Sequence, residues 1–283
     1  MTLTRTQVRV LLNRYGIRPK RSLGQNFVVE PNTVRQIAGL ARVGSGDRVV
    51  EIGPGVGSLT LALLDTGASV VAVEIDDVLV KVLAETTAGR DVEVMHADAM
   101  TIDWDLLLSS RGGQVDKWVM VANLPYNLSV PLICNLLDHV PSINRMVVMI
   151  QREVAERLVA YPGDRSYGLP SVKVAYHATG RIVGRVPPSV FLPRPNVDSA
   201  LVELVRRPEP AVDADPERLF ALVRAGFGQR RKMLRRSLAA LVDEAAILAA
   251  GVDPTERAEE LGLDQWAALA AAPSLPGSTR AAS

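Results

Sequence analysis

The chain has 283 residues, 48% of them hydrophobic, and a formal net charge of +1, which suits one or two domains with substantial cores. Its single cysteine, Cys134, excludes an internal disulfide framework, and His96, His139 and His177 are too scattered for a metal-binding motif. No apolar run approaches the ~18 residues that span a bilayer, and Arg9 and Arg14 break the apolar pieces at the N-terminus, so a cytoplasmic protein without membrane partners is expected.

The first 29 residues carry six basic side chains (Arg5, Arg9, Arg14, Arg18, Lys20, Arg21) and no acid. The first strong strand pattern is Arg48-Val49-Val50-Glu51-Ile52, followed by Gly53-Pro54-Gly55-Val56-Gly57 and the helical spacing of Leu59, Ala62 and Leu63. Glycines at that point let a ligand approach the backbone closely. A second apolar run, Val70 to Val73, ends at Glu74, 21 positions past Gly53, a placement suited to ribose hydroxyls. A third, Val92 to Met95, leads to Asp98, a candidate for a cofactor's adenine amine. The fourth, Trp118 to Ala122, runs into Asn123-Leu124-Pro125-Tyr126.

That tetrapeptide combines an amide, a turn and an aromatic ring. An exocyclic adenine amine is a poor nucleophile because its lone pair is delocalised into the ring. An enzyme that alkylates it must hold the N–H bonds in acceptors, which the Asn123 side chain and the Leu124 carbonyl can supply. Pro125 fixes the turn and Tyr126 offers a face for stacking.

A dinucleotide dehydrogenase would carry G-x-G-x-x-G; here the third glycine comes one place early and Ser58 stands in its position. Four successive strand ends bearing Gly53, Glu74, Asp98 and Asn123 fit S-adenosylmethionine better, since ligands of open α/β sheets collect beyond the carboxyl ends of strands.

After Met146 to Ile150 a helical pattern runs over Gln151 to Ala160, and Val197 to Val205 reads as the last strand. Alternation of this kind predicts a mostly parallel sheet with helices on both faces. Pro208, Pro210 and Pro216 mark a linker. The expected division is therefore a catalytic domain over 1–209 and an all-helical domain over 210–283, the latter ending in a flexible tail from Pro273. Residues 218–242 hold seven more cations (Arg218, Arg224, Arg230, Arg231, Lys232, Arg235, Arg236) and again no acid. These thirteen of the 32 basic residues leave 19 elsewhere against 31 acids, so two basic segments sit on an acidic body, the footprint of phosphate binding. Arg231 and Arg235, four apart, are expected to share a helix face.

From about Arg18 to Leu269 the chain resembles the bacterial small-subunit ribosomal RNA adenine dimethyltransferase family. The resemblance rests on Ser22-Leu23-Gly24-Gln25-Asn26-Phe27, on Glu51-Ile52-Gly53-Pro54-Gly55 and on Asn123-Leu124-Pro125-Tyr126-Asn127. It extends to Val186-Pro187-Pro188 and Phe191 through Ser199, and to Gly228-Gln229-Arg230-Arg231-Lys232 and Arg257-Ala258-Glu259. Val28 and Glu30 stand where Leu and Asp are common. The resemblance implies a Rossmann-like, S-adenosylmethionine-dependent methyltransferase that transfers four methyl groups to two adjacent adenines near the 3′ end of 16S rRNA during small-subunit assembly. It implies that Asn26, Val28, Gly53, Gly55, Glu74, Asp98 and Asn123 line the cofactor, and that Asn123, Leu124, Pro125, Tyr126 and Phe191 hold the target base. RNA contacts are expected from Arg18, Lys20, Arg21, Arg224, Arg230, Arg231, Lys232 and Arg235, in a monomer. Two other readings stand beside it: an erythromycin-resistance-type enzyme acting on 23S rRNA, and an assembly factor with a mainly non-catalytic role.

Overall fold

The structure is a computed structural model that describes residues 2–20, 24–111 and 117–273; Arg21 and all but the first residue of the expected tail lie outside them. The chain forms two compact units, one of residues 1–155 with 180–206, the other of 156–179 with 207–283.

The first unit is built on a seven-stranded sheet. Its strands are β2 (Arg48–Ile52), β3 (Ser69–Glu74), β4 (Val92–His96), β5 (Trp118–Asn123), β6 (Ile143–Gln151), β7 (Ala178–Val186) and β9 (Ser199–Arg206), in the spatial order β4-β3-β2-β5-β6-β9-β7. Strands β4 through β6 run parallel, and β9 is antiparallel to β6. Burial on both faces explains why β2, β3 and β5 read as nearly unbroken apolar runs rather than alternating ones. The order reverses between β2 and β5, so the crevice beyond their carboxyl ends is the ligand position that this topology favours.

Helix α2 (Pro31–Ala41) packs on α3 (Ser58–Leu64) over one face of the sheet. Glu30, the departure from the family pattern, caps α2 by accepting the Asn32 N–H at 3.2 Å, with Pro31 at the first helical position. A two-stranded piece pairs β1 (Phe27–Val28) antiparallel to β8 (Phe191–Leu192).

The second unit is helical. Its core gathers Tyr167, Tyr176, Phe220, Leu234, Ile247 and the fully buried Trp266. The expected boundary near residue 210 falls at 206/207, but residues 156–179, assigned by sequence to the catalytic domain, pack with the helices instead. Tyr167 and Tyr176 explain this: both are buried in that helical core, where Tyr176 meets Phe220 edge-on at 5.3 Å. Helix α9 (Pro216–Gly228) stops before the basic run, and α10 covers only Leu234–Ser237. Arg231 therefore lies in a turn, and the helix face expected to carry it with Arg235 does not form. Among the described residues, no helix is long and apolar enough to cross a membrane and no cluster of metal-ligating side chains is found.

Candidate active site

A cavity opens at the carboxyl ends of β2, β3, β4 and β5. Its wall includes Asn26, Val28, Gly53, Gly55, Glu74, Asp98, Asn123 and Pro125, so every residue expected around the cofactor is brought to one place. The four strand ends do this because each chain segment turns away from the sheet just after its last paired residue.

Gly55 has φ of 61°, and a Cβ there would stand 3.0 Å from the Phe27 ring. A side chain would be strained in itself and would push on the strand that closes the cavity. The loop is fastened by Glu74. Its Oε2 accepts the Gly55 N–H at 3.0 Å, and its Oε1 accepts those of Ile75 and Asp76 at 2.9 and 3.0 Å. A carboxylate offers about four acceptor positions, so capacity remains for a ligand hydroxyl. Burial raises the Glu74 pKa despite these bonds, which marks it as a carboxylate held dry at the cavity wall. Asp98 is half-buried and accepts the Met100 N–H at 2.9 Å.

Asn123 donates its side-chain N–H to the backbone carbonyl of Asn26 at 2.9 Å. That bond selects the orientation of the amide: with nitrogen committed to Asn26, Oδ1 is the atom left as an acceptor. Asn26 is held in turn by its own amide, which donates to the Gly24 carbonyl at 3.1 Å. Gly24 has φ of 60°, and a Cβ on it would fall 2.8 Å from Pro125 Cβ, so only glycine lets the N-terminal arm lie against the turn after β5. Leu124 is 1% exposed and its N–H donates to Met149 at 3.1 Å. Its carbonyl accepts no hydrogen bond from the described residues, leaving a second acceptor beside Asn123. Tyr126 is half-buried; Ser129 donates to its carbonyl at 3.2 Å, and its phenol lies 3.2 Å from Ser199 Oγ.

Phe191 is the one expected base-holding side chain that the structure places elsewhere. Pairing of β8 with β1 turns it inward opposite Val28, where it is 2% exposed in a core with Ile37, Leu59 and Leu201. It is a core aromatic here, on the strand paired with Val28 of the cavity wall.

Sequence reasoning missed two acids. Asp76 accepts Lys20 Nζ at 2.8 Å and Gln25 Nε2 at 3.3 Å, tying the basic arm to the end of β3. Burial opposes its charge, but Lys20, the Leu79 and Val78 N–H groups and Gln25 outweigh it, so its pKa is lowered. Glu51, in the middle of β2, is 1% exposed and also lines the cavity. Burial pushes its carboxyl up to about 8, the Thr60 hydroxyl working against the rise and the Glu74 charge adding to it. A charged residue inside Val49-Val50-Glu51-Ile52 was the visible signal, since a buried strand tolerates one only in a special environment.

The ribosomal RNA adenine dimethylase family matches residues 16–272. The chain belongs to that family. A protein described as ribosomal RNA small subunit methyltransferase A from Kineococcus radiotolerans is 49% identical over 99% of this chain and 94% of its own length. One of the same description from Thermobifida fusca is 48% identical over 95% of each. Among solved structures, a dimethyladenosine transferase from Plasmodium falciparum aligns with TM-score 0.69 at 26% identity, covering 85% of this chain and 94% of that one. The 23S rRNA methyltransferase ErmE aligns with TM-score 0.65 at 28% identity, covering 86% and 98%. The fold of this dimethylase is accordingly the Rossmann-like methyltransferase fold with a helical second unit.

A loop in which a Cβ on Gly55 would crowd Phe27, next to a buried carboxylate with acceptor capacity to spare, suits S-adenosylmethionine: Glu74 would face ribose hydroxyls, Asp98 an adenine amine, and the backbone of Gly53 and Gly55 would lie alongside. Glu74→Ala is expected to weaken S-adenosylmethionine binding by about 1.5–3 kcal/mol, the worth of a hydrogen bond to a charged group. Part of that loss will come through the loop, because Gly55 loses its anchor as well. Isothermal calorimetry showing wild-type affinity would remove Glu74 from the cofactor site.

Proposed function

We propose that this protein transfers methyl groups from S-adenosylmethionine to the N6 amines of two adjacent adenines near the 3′ end of 16S rRNA in the small ribosomal subunit or its precursor. The observation that carries the chemistry is a pair of acceptors that take no hydrogen bond from the described residues: Asn123 Oδ1, on the cavity wall, and the carbonyl of Leu124, next in the chain. Choice of the small subunit rests on the near-full-length relatives described as small-subunit methyltransferases.

S-adenosylmethionine supplies an electrophilic methyl group. The chain does the rest: the two acceptors take the amine N–H bonds and turn the nitrogen lone pair out of conjugation with the ring. Tyr126 presents an aromatic face to the base, which must leave its stack to enter. No general base is needed before the new N–C bond forms; that bond would replace the methyl–sulfur bond, leaving S-adenosylhomocysteine, and the nitrogen would lose its proton to solvent afterwards.

A second reading, action on 23S rRNA, is favoured by the likeness to ErmE. Incubation with labelled S-adenosylmethionine and either unmodified small-subunit particles or large-subunit RNA separates the two. Label in small-subunit adenines is expected, and label confined to large-subunit RNA would reverse the assignment. If an assembly role outweighed catalysis, tight particle binding without label would be the result.

The basic segments supply the RNA affinity, but not through every cation that sequence nominated. Lys20 is bound to Asp76 at 2.8 Å, Arg230 to Glu259 at 2.5 Å, and Arg235 lies 3.8 Å from Glu244. Arg230 also donates to the Arg165 carbonyl at 2.8 Å, so it serves the fold of the helical unit. Arg18, Arg224, Arg231 and Lys232 are exposed and have no partner among the described residues. Replacing Arg224, Arg231 and Lys232 together by alanine is expected to flatten the dependence of log affinity on log salt by about two units or more, each phosphate contact being worth roughly 0.7–0.9. Cofactor binding should be untouched. An unchanged slope would show these charges to be a solvated face.

A further inference from the structure

We infer that Ser199 is a positioning residue for methyl transfer, acting through the phenol of Tyr126. The inference rests on the base-methylation reading above and adds a residue to it.

Strand β9 runs antiparallel to β6, so its first residue, not its last, lies at the sheet end where the parallel strands finish. Ser199 is that residue, paired with Gln151 at the far end of β6. It is completely buried. Its hydroxyl stands 3.2 Å from the Tyr126 phenol oxygen, across 73 positions of sequence.

A buried hydroxyl costs stability unless it is hydrogen-bonded. Alanine would fill this sheet position without that burden, as Ala200 does one residue on. Tyr126, by contrast, is only half-buried and could satisfy its phenol with water. The contact therefore does little for the tyrosine's solvation and much for its orientation. It fixes the far end of the side chain, while Ser129, donating to the Tyr126 backbone carbonyl at 3.2 Å, holds the turn from which the side chain springs. Held at the phenol and at its backbone, the side chain keeps one direction beside the acceptors of Asn123 and Leu124. A base entering the site then meets a side chain already aimed instead of one free to swing, and the gain falls on the reacting geometry.

A double-mutant cycle tests this. Ser199→Ala is expected to lower kcat on unmodified small-subunit particles roughly three- to tenfold, the effect of one neutral hydrogen bond, with S-adenosylmethionine affinity unchanged. Tyr126→Phe should give a loss of the same size, and the double variant should be no slower than the slower single one, because both changes remove one contact. Independent, multiplying losses would overturn the proposal, as would full activity of Ser199→Ala. So would a loss in Ser199→Ala that follows only a lowered melting temperature and affects the Tyr126→Phe background equally. Wild-type protein assayed in parallel keeps the two readings apart: absence of label there defeats the methylation reading itself, whereas label with additive variants defeats only the role of Ser199.

Discussion

Asn123→Ala is expected to lower turnover on small-subunit particles by about 10²-fold or more, by analogy with the loss of one preorganised hydrogen-bonding group from an active site. The geometry explains the size. Asn123 Nδ2 is anchored on the Asn26 carbonyl at 2.9 Å, so its oxygen is aimed before any substrate arrives and pays no reorganisation on binding. Alanine removes the acceptor and also releases the Asn26 carbonyl. Asn123→Asp provides a sharper test, since it keeps two oxygens but sets one against that carbonyl, and the repulsion should turn the side chain away from the amine. Both variants should be slow. Cofactor affinity has to be measured beside turnover, because Asn123 lines the same cavity. Near-normal methylation by a folded Asn123→Ala protein would end the proposed role of the turn.

The gathering of strand ends around one cavity was legible from sequence because it depends on periodicity. Buried parallel strands announce themselves as apolar runs, and the residue following each run must lie at a strand end. Gly53, Glu74, Asp98 and Asn123 could thus be collected without knowing the strand order. What was not legible depends on contacts distant in sequence. Lys20 and Asp76 are 56 positions apart, Arg230 and Glu259 are 29 apart, and counting acids within a basic segment cannot reveal a carboxylate brought in from another. Phe191 was misplaced for a related reason: in sequence it belongs to the base-side motif, but its pairing with Val28 decides which way the ring points. The helix expected through Arg231 failed locally, α9 ending at Gly228 and Met233 forming a bridge to Arg257. The segment 156–179 carries an ordinary helical pattern, and nothing in such a pattern says which core its apolar face will join.

Glu51 leads to the last expected result, a stability that falls as pH rises through the neutral range and is restored by Glu51→Gln. The carboxyl is buried, its Oε2 has no hydrogen-bond partner among the described residues, and its pKa is pushed up to about 8 from 4.5, chiefly by burial. The folded chain therefore keeps this proton between about pH 4.5 and 8 while the unfolded chain has lost it. A raised folded-state pKa stabilises fully below the unfolded value, and that stability drains away as pH climbs through the folded one. At about 1.4 kcal/mol per unit, the window spans several kcal/mol. Glutamine is neutral at every pH, and its amide can keep the contact with the Thr60 hydroxyl that the carboxyl makes. The variant should match wild type near pH 5 and exceed it by several kcal/mol above pH 8. Its curve will keep some slope of the same sign, because burial raises the Glu74 pKa as well. Urea unfolding at a series of pH values reads this directly. Parallel curves for the two proteins from pH 5 to 9 would mean that Glu51 is ionised in the folded protein, its charge sharing the buried side of the cavity wall with that of Glu74.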